Sequence, residues 1–418
     1  MFETPGMSAC RPVQVAAVFG AHSGSSLALI RKLALGAALA FGALGAQAGT
    51  CTINVTSNFQ TIDGFGFASV FADVMTSAQA ATFFGTGTNQ LGFSLLRVEI
   101  SDTGDFSTDQ SNASLAHSYG AKVLGTPWTP PASMKSNDNE IGGSLNTSEY
   151  GAYATYLGSS ATTIGCDWVS MQNEPDASVD YVSCSWTPAQ METWCANNAS
   201  GVGKPIVMPE SESFNDSYSD PTLDNATADA NVTIIAGHIY GGGNIVHQNA
   251  LNHGKHVWMT EHYNNGQTIA AAITDAKEVS DCMNNQMSAY FWWRAYHPTL
   301  ATDDLINGST PLTNGYAIGQ FAKYVRPGKI RCSTTYNPTT NIYVTAYHGN
   351  GLVIVAINTG TSSVNQAFSL QNATGVTSLL ANQTTATEGM AAVTGATVTN
   401  NAFTYTLPAQ SVTTFHQF

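Results

Sequence analysis

The sequence predicts an α/β fold, a (β/α)8 barrel with an antiparallel β-sandwich attached as a side domain. Short apolar runs alternate with helix-like segments over residues 64–325, which is the pattern of parallel strands joined by helices. After Arg326-Pro327-Gly328 the helical periodicity ends. Alternating runs of Thr, Val, Tyr and Ile then predict antiparallel strands over residues 326–418, and residues 49–63 are expected to add a first strand to that side domain.

Eight apolar runs are the expected barrel strands, and their number and spacing match this barrel class. They cover residues 65–70, 93–99, 122–127, 168–173, 205–210, 234–240, 257–261 and 288–293. In such a barrel, the loops after the carboxyl ends of the strands build the active site. Polar and aromatic residues at these ends are therefore the candidates for function.

Residues 1–48 are typical of an export signal. Arg31 and Lys32 precede an apolar run over residues 33–44, and Ala46-Gln47-Ala48 follows as a small-residue cleavage site. The apolar run is shorter than the roughly 20 residues that a membrane-spanning helix requires. We expect the mature chain to begin near Gly49 and to be secreted.

Six of the seven cysteines follow this signal, and an even number in an exported chain permits three disulfides. The six are Cys51, Cys166, Cys184, Cys195, Cys282 and Cys332. Cys184–Cys195 and Cys51–Cys332 are the expected first pairings, although the sequence does not fix the connectivity.

The composition indicates which partners the chain binds. The formal net charge is −14, and only 14 residues are Lys or Arg. Nucleic acid and anionic membrane surfaces bind to clusters of such cations, so this composition argues against both as partners. Charged residues make up 10% of the chain, so that Asn, Thr, Ser and Gly supply most of the polarity. Such a surface suits a neutral, hydroxyl-rich ligand. We also expect the protein to be a monomer and to need no cofactor.

Glu174 is the strongest candidate for chemistry. It follows the fourth expected strand in Gln172-Asn173-Glu174-Pro175, and Asn173 beside it could hold a sugar 2-hydroxyl. Taken alone, the tripeptide Asn-Glu-Pro could equally lie in a solvated loop.

Glu261 supplies a second carboxylate, because it ends the apolar run of the seventh expected strand. Strands four and seven face each other across the barrel mouth, so both carboxylates can reach one glycosidic bond. Retaining glycosidases hold such a pair about 5–5.5 Å apart. We assign Glu174 as the acid/base, with a pKa expected to be raised, and Glu261 as the nucleophile.

Aromatic side chains at the same strand ends are candidates for stacking on sugar rings. They are Trp128, Tyr240, Tyr263 and one of the pair Trp292 and Trp293. Alternation along a strand sends one of the pair inward, and we expect this to be Trp293. Core packing is the alternative for each.

Two basic residues at strand ends are expected to support the carboxylates. Arg97 could keep the nucleophile ionised, or form an ion pair that only closes the barrel. His238 is expected to be a hydrogen-bonded interior histidine. The sequence contains no zinc-protease, nucleotide-binding or serine-hydrolase motif, and no metal is expected.

With these residues identified, the chain resembles glycoside hydrolase family 30, in particular its bacterial glucuronoxylan endo-β-1,4-xylanases. The matching segments are Thr61-Ile62-Asp63-Gly64-Phe65-Gly66, Leu95-Leu96-Arg97-Val98, Thr126-Pro127-Trp128-Thr129-Pro130-Pro131 with Met134-Lys135, Gln172-Asn173-Glu174-Pro175-Asp176, Gly237-His238-Ile239-Tyr240, Trp258-Met259-Thr260-Glu261 and residues 321–328. The resemblance implies a retaining endo-xylanase acting on xylan, with Trp128, Asn173, Tyr240 and Trp293 near the cleaved sugar.

The chain departs from this family after the tryptophan pair. The glucuronoxylan enzymes usually carry a longer stretch there, with paired arginines and a tyrosine that hold the glucuronate branch. Here only Arg294-Ala295-Tyr296-His297-Pro298 follows. Arg294 and Tyr296 are the remaining candidates for that contact, since a guanidinium pairs well with a carboxylate. Loss of the branch requirement is the alternative.

Four other functions are compatible with the sequence. Release of xylobiose would use the same site, as would a β-1,6-glucanase or β-glucosidase activity. A non-catalytic carbohydrate-binding protein would also have an aromatic cleft, but it would need neither carboxylate.

Overall fold

The chain enters the fold through strand β1 (Thr50–Thr61) and then forms a closed barrel of eight parallel strands, in the computed structural model that describes residues 49–418. The barrel strands are β2 (Gly64–Ala68), β3 (Leu95–Glu99), β4 (Lys122–Thr126), β5 (Trp168–Ser170), β6 (Ile206–Ser211), β7 (Ile234–His238), β8 (His256–His262) and β9 (Ala289–Trp292). Each overlaps one of the eight expected apolar runs, so the barrel prediction is confirmed.

Helices connect the strands. They are α1 (Ser77–Phe84), α2 (Ser107–Ser118), α3 (Tyr150–Ile164), α4 (Pro188–Asn197), α5 (Asp216–Asp224), α6 (Ala226–Asn231), α7 (Gln248–Asn252), α8 (Ile269–Asn284) and α9 (Thr313–Ala322). Short 3-10 helices lie at Ala132–Met134, Thr147–Glu149 and Ala199–Val202. Both α5 and α6 follow β6, and the ribbon β10 (Ile306–Asn307) and β11 (Thr310–Pro311) precedes α9.

Apolar side chains fill the inside of the barrel. Leu95, Leu124, Ile234, Trp258 and Phe291 belong to this interior cluster. Their neighbours one position along the strands point to the helices instead, because successive side chains of a strand face opposite sides. The interior is therefore packed, and the residues that follow the strands form its open end.

The side domain is one nine-stranded, mostly antiparallel sheet. Its later strands are β12 (Ile330–Thr334), β13 (Ile342–His348), β14 (Val353–Asn358), β15 (Val364–Gln371), β16 (Ser378–Thr384), β17 (Ala391–Thr397), β18 (Ala402–Leu407) and β19 (Ser411–His416). The strand order is β17-β16-β19-β14-β13-β12-β1-β15-β18, so β1 joins the strands that follow the barrel.

This sheet folds over on itself, as expected for a β-sandwich. Phe368 of β15 and Phe403 of β18 stack with ring centroids 4.5 Å apart, and both contact Phe415 of β19. Along β14, Ile354 and Ala356 face this inner core. Val353, Val355 and Ile357 instead belong to the main cluster that contains the barrel helices, so the side domain is packed against the barrel.

The expected export signal and the expected cleavage site before Gly49 lie outside the described residues. Within residues 49–418, no helix is both long and apolar enough to span a membrane.

The disulfide prediction is wrong for the described structure. All six cysteines of residues 49–418 are buried free thiols. The register of β1 and β12 places Cys332 opposite Asn58, whereas Cys51 lies near the other end of β1. Cys195 lies on α4 and contacts Met171 Sδ at 3.8 Å instead of Cys184. Burial raises the pKa of Cys51 and Cys195 to about 12, which keeps both as unreactive thiols.

We therefore expect all six cysteines to be reduced and protected in the folded protein. A thiol reagent should label none of them under native conditions and all six after unfolding, as counted by mass spectrometry of peptides. Reductant should leave the unfolding temperature unchanged. A disulfide-linked peptide containing Cys51, Cys184, Cys195 or Cys332 would contradict this.

Candidate active site

Glu174 lies just beyond β5, where the backbone leaves the barrel. Its φ is 42°, a left-handed conformation that is uncommon for residues other than glycine. The Glu174 backbone N–H donates to the carbonyl of Glu210 at 3.0 Å, and the Asn173 N–H donates to that of Pro127 at 2.8 Å. These bonds fix the segment to neighbouring strand ends, and the Glu174 carboxylate is 8% exposed.

Glu261 lies near the end of β8 and is 6% exposed. A carboxylate oxygen of Glu261 lies within 4.8 Å of one of Glu174. This separation is shorter than the roughly 6.5–9.5 Å at which inverting glycosidases hold their carboxylates, and it fits the close pair of a retaining glycosidase. The hydroxyl of Tyr240 donates to Glu261 Oε1 at 3.0 Å.

Arg97 is fully buried at the centre of this group. Its Nη1 donates to Glu261 Oε2 at 2.6 Å and its Nη2 to Asn173 Oδ1 at 2.7 Å. Its Nε lies 3.2 Å from Glu210 Oε1. The guanidinium also lies over the Trp128 ring, 4.7 Å from its centroid. Burial lowers the pKa of Arg97, but Glu210 and Glu261 more than offset this and raise it.

Glu210 is a third carboxylate of the site, and the sequence analysis did not identify it as functional. It ends the fifth expected strand, has a φ of 54° and is fully buried. Thr126 Oγ1 donates to its Oε2 at 3.1 Å. Burial would raise its pKa, but Arg97 and His238 lower it to about 2. Its position at a strand end was the signal in the sequence that could have identified it.

His238 lies between the three carboxylates and is fully buried. Its Nδ1 is 2.9 Å from Glu174 Oε1, and its Nε2 is 3.9 Å from Glu261 Oε2 and 4.0 Å from Glu210 Oε1. Burial alone would lower its pKa, but the charge of Glu261, the hydrogen bond to Glu174 and the nearby Glu210 carboxylate raise it to about 9. This pKa favours the imidazolium form of His238 at neutral pH.

The pKa of Glu174 is lowered, which is opposite to the sequence-based expectation. Burial raises this pKa, but three neighbours together lower it by more. They are His238, through its hydrogen bond and charge, the hydroxyl of Tyr181 and the charge of Arg97. Tyr181 Oη donates to Glu174 Oε2 at 3.1 Å. The expectation considered Glu261 and apolar walls but not these donors, which come from distant segments.

A cavity of about 510 Å³ opens above the two carboxylates. Of the expected substrate residues, Trp128, Asn173, Tyr240, Tyr263 and Trp293 line it. Trp292 is buried and donates from Nε1 to the Asp303 carbonyl at 2.8 Å, so the two tryptophans do face opposite sides. The lining also contains Phe71, Tyr181, Val182 and Glu212, which sequence reasoning missed because they lie on loops without a periodic pattern.

Arg294 and Tyr296 do not line this cavity. The Arg294 guanidinium is 5.7 Å from the ring centroid of Trp293, beside the cavity. The structure does not bring Tyr296 to the cavity. Its ring packs against Phe83, and its hydroxyl donates to the Asp73 carbonyl at 2.6 Å, so it is 4% exposed.

The site also has the composition of a possible metal site, since Glu174, His238 and Glu261 each offer one atom within 4.8 Å of the others. Arg97 and His238 already neutralise these carboxylates, and Tyr181 and Tyr240 donate to them. This donor set fits an ion-pair network better than a cation site. A second such group, His297, Asp303 and Asp304, lies in the loop after β9.

Arg97→Met should destabilise the protein by about 3–5 kcal/mol, because it leaves the buried carboxylates of Glu210 and Glu261 without their cation. Urea unfolding measures this change. The double variant Arg97→Met/Glu210→Met should recover part of the loss, since it removes one uncompensated charge. An Arg97→Met midpoint equal to that of the wild type would show that the guanidinium does not stabilise the fold.

The contribution of His238 to stability should depend on pH. Its folded pKa of about 9 lies above the ordinary value of 6.5, so its stabilising contribution is complete below 6.5 and is lost as the pH rises to about 9. The difference in unfolding free energy between wild type and His238→Gln should therefore shrink over this range. For His348, whose pKa is lowered by burial, the difference between wild type and the Gln variant should stay constant from pH 6.5 to 9, because its contribution is lost only as the pH falls below 6.5. A His238 difference that grows with pH would contradict the charge assigned to it.

Similarities to known proteins cover most of the chain. No protein-family model matches it. Glucuronoxylanase XynC of Bacillus subtilis (strain 168) is 36% identical over 393 residues, which cover 87% of this chain and 90% of XynC.

Two solved structures are similar in both sequence and fold. The glycoside hydrolase family 30 subfamily 8 xylanase Xyn30A from Clostridium acetobutylicum has a TM-score of 0.83 and 38% identity, over 88% of this chain and 99% of that one. A GH30 endoxylanase from Clostridium papyrosolvens C71 has a TM-score of 0.79 and 36% identity, with the same coverage. The resemblance seen in the sequence is confirmed, and the chain is a glycoside hydrolase that belongs to family 30.

Proposed function

We propose that this chain is a secreted, retaining endo-β-1,4-xylanase that acts on xylan or glucuronoxylan through Glu261 as nucleophile and Glu174 as acid/base. The observation that carries the proposal is the pair of carboxylates within 4.8 Å of each other at the floor of an aromatic cavity. The named activities of the relatives, glucuronoxylanase and xylanase, supply the substrate class.

The first step forms a covalent intermediate. A Glu261 oxygen attacks C1 of the xylosyl unit, the bond from C1 to the leaving oxygen breaks, and Glu174 donates its proton to that oxygen. Arg97 donates to Glu261 at 2.6 Å and so orients this carboxylate for the attack. Because Tyr240 donates to the other oxygen of Glu261, it holds the carboxylate in one orientation.

His238 supplies the proton that Glu174 needs. In the free enzyme the pair is a carboxylate and an imidazolium joined at 2.9 Å. When the sugar excludes water from the cavity, the neutral pair becomes favoured, because desolvation disfavours separated charges. The proton then moves from Nδ1 to the Glu174 carboxylate, which can act as an acid despite its lowered pKa.

The second step releases the sugar. Glu174, now a carboxylate, takes a proton from a water molecule whose oxygen attacks C1 and displaces Glu261. Two displacements at C1 return the original β configuration. The proton that Glu174 takes from water returns to His238 when the sugar leaves, and Glu261, released from C1, is again paired with Arg97.

The lining of the cavity favours a neutral sugar backbone. Glu174, Glu212 and Glu261 line it, together with aromatic rings, and its lining contains no Lys or Arg. Arg294 beside Trp293 remains the candidate for holding a glucuronate branch, and it forms no ion pair with any described residue. We therefore propose that xylose units bind in the cavity and that a branch, where present, meets Arg294 outside it.

Azide rescue of two alanine variants distinguishes the two roles. Glu174→Ala and Glu261→Ala should each lower kcat on both glucuronoxylan and unsubstituted xylan by at least about 10²-fold. With azide and an aryl β-xylobioside, Glu261→Ala should yield the α-glycosyl azide, since azide replaces the nucleophile in a single displacement. Glu174→Ala should yield the β-azide, since two displacements still occur.

A matched control is Asp224→Asn, which neutralises an exposed carboxylate at the end of α5 and should keep full activity. Full activity of both alanine variants would refute the assignment, and exchanged azide configurations would reverse the two roles. Strong hydrolysis of aryl glucosides with none of xylan would overturn the proposed substrate.

A further inference from the structure

A second cavity of about 270 Å³ lies beside the catalytic one. The segment that follows β2 and the loop from the end of β3 into α2 form its walls, and Phe71 belongs to the lining of both cavities. Phe71 is 53% exposed and has a φ of 55°. This exposed aromatic residue therefore lies at the boundary between the two cavities.

Glu99 is the first of two unpartnered polar groups in the lining of this second cavity. It is the last residue of β3, two positions after Arg97, so alternation points its side chain toward the barrel mouth. Its carboxylate accepts no hydrogen bond from any residue in the described part of the chain. Burial and the nearby charges of Asp109 and Asp102 raise its pKa to about 7.

Ser69 is a second group without a partner. It is 1% exposed, it belongs to the lining of this cavity, and its Oγ makes no hydrogen bond within residues 49–418. Buried polar atoms of native proteins are nearly always satisfied, so an unpaired hydroxyl beside an unpaired carboxylate points to a missing polar ligand.

The remaining lining defines what kind of ligand fits. It contains further hydroxyls, including that of Thr103, and the carboxylates of Asp105 and Asp109, but no Lys, Arg or His. Such a surface repels an anion such as glucuronate. A neutral sugar can donate its hydroxyls to the carboxylates and accept from Ser and Thr. The volume lies just below the 300–1,000 Å³ typical of sites for drug-sized ligands, which suits a single sugar unit.

We propose that this second cavity binds one neutral pentosyl unit of the xylan chain whose backbone occupies the catalytic cavity. The proposal rests on the proposed function. The unit has two possible sources with the same chemistry, an arabinosyl branch or the next xylose of the backbone. In either case the polysaccharide passes over Phe71.

The test is binding to an inactive protein, measured by calorimetry. Linear xylo-oligosaccharides of increasing length and arabinose-substituted ones are titrated into Glu261→Gln, with and without Thr103→Tyr. Thr103 is exposed, so a tyrosine there fills the cavity from the solvent side. Thr233→Tyr is the matched control, because Thr233 is exposed at the start of β7, the opposite end of the barrel.

Thr103→Tyr should weaken binding by about tenfold or more, equivalent to about 1.4 kcal/mol, for ligands that reach the second cavity. Loss confined to the longer linear ligands identifies the backbone source, and loss confined to arabinose-substituted ligands identifies the branch. Binding of the shortest ligand, xylobiose, should not change, and Thr233→Tyr should change none.

Equal weakening for all ligands, or for none, would overturn the proposal. So would calcium binding to the wild type that Glu99→Ala abolishes, because the cavity would then be a cation site. Failure of the proposed function has a separate readout, since it would appear as a wild-type protein that hydrolyses no xylan.

Discussion

The structure depends on one buried guanidinium. Arg97 at the open end of the barrel contacts Glu261, Glu210 and Asn173, which come from three different strands or strand ends. Its planar fork can satisfy several acceptors at fixed angles, which the point charge of a lysine could not do. The barrel thus holds the expected nucleophile against a cation, at 2.6 Å, in a site with almost no exposure to water. The same contacts that close the strands together also set the chemistry.

The two glutamates to which we assign different roles lie in different charge environments. Three carboxylates, Glu174, Glu210 and Glu261, surround two cations, Arg97 and His238. Glu210 and Glu261 lie next to Arg97, whereas Glu174 is paired with His238, whose proton can move. This difference supports the proposal that Glu261 attacks the sugar while Glu174 gains and loses a proton. We propose that His238 stores that proton.

The sequence predicted what local patterns encode. Apolar runs identified the eight strands, and their ends placed Glu174, Glu261 and Arg97 at one mouth. Contacts between distant segments were beyond reach: Tyr181, which donates to Glu174, lies in a loop without periodicity, and the role of Glu210 depends on Arg97 from another strand. The cysteine pairing failed because strand register, which the sequence does not fix, separates Cys51 from Cys332. Tyr296 was misplaced because its direction depends on how the loop after β9 packs on Phe83.

The anomeric form of the first product distinguishes a retaining from an inverting reaction. Proton NMR during the first minutes of xylan hydrolysis distinguishes the α from the β reducing end before mutarotation mixes them. A carboxylate pair within 4.8 Å predicts β-product first, because two displacements at C1 retain the configuration. Initial release of the α-anomer would mean that water attacks directly, and it would contradict the roles assigned to Glu174 and Glu261.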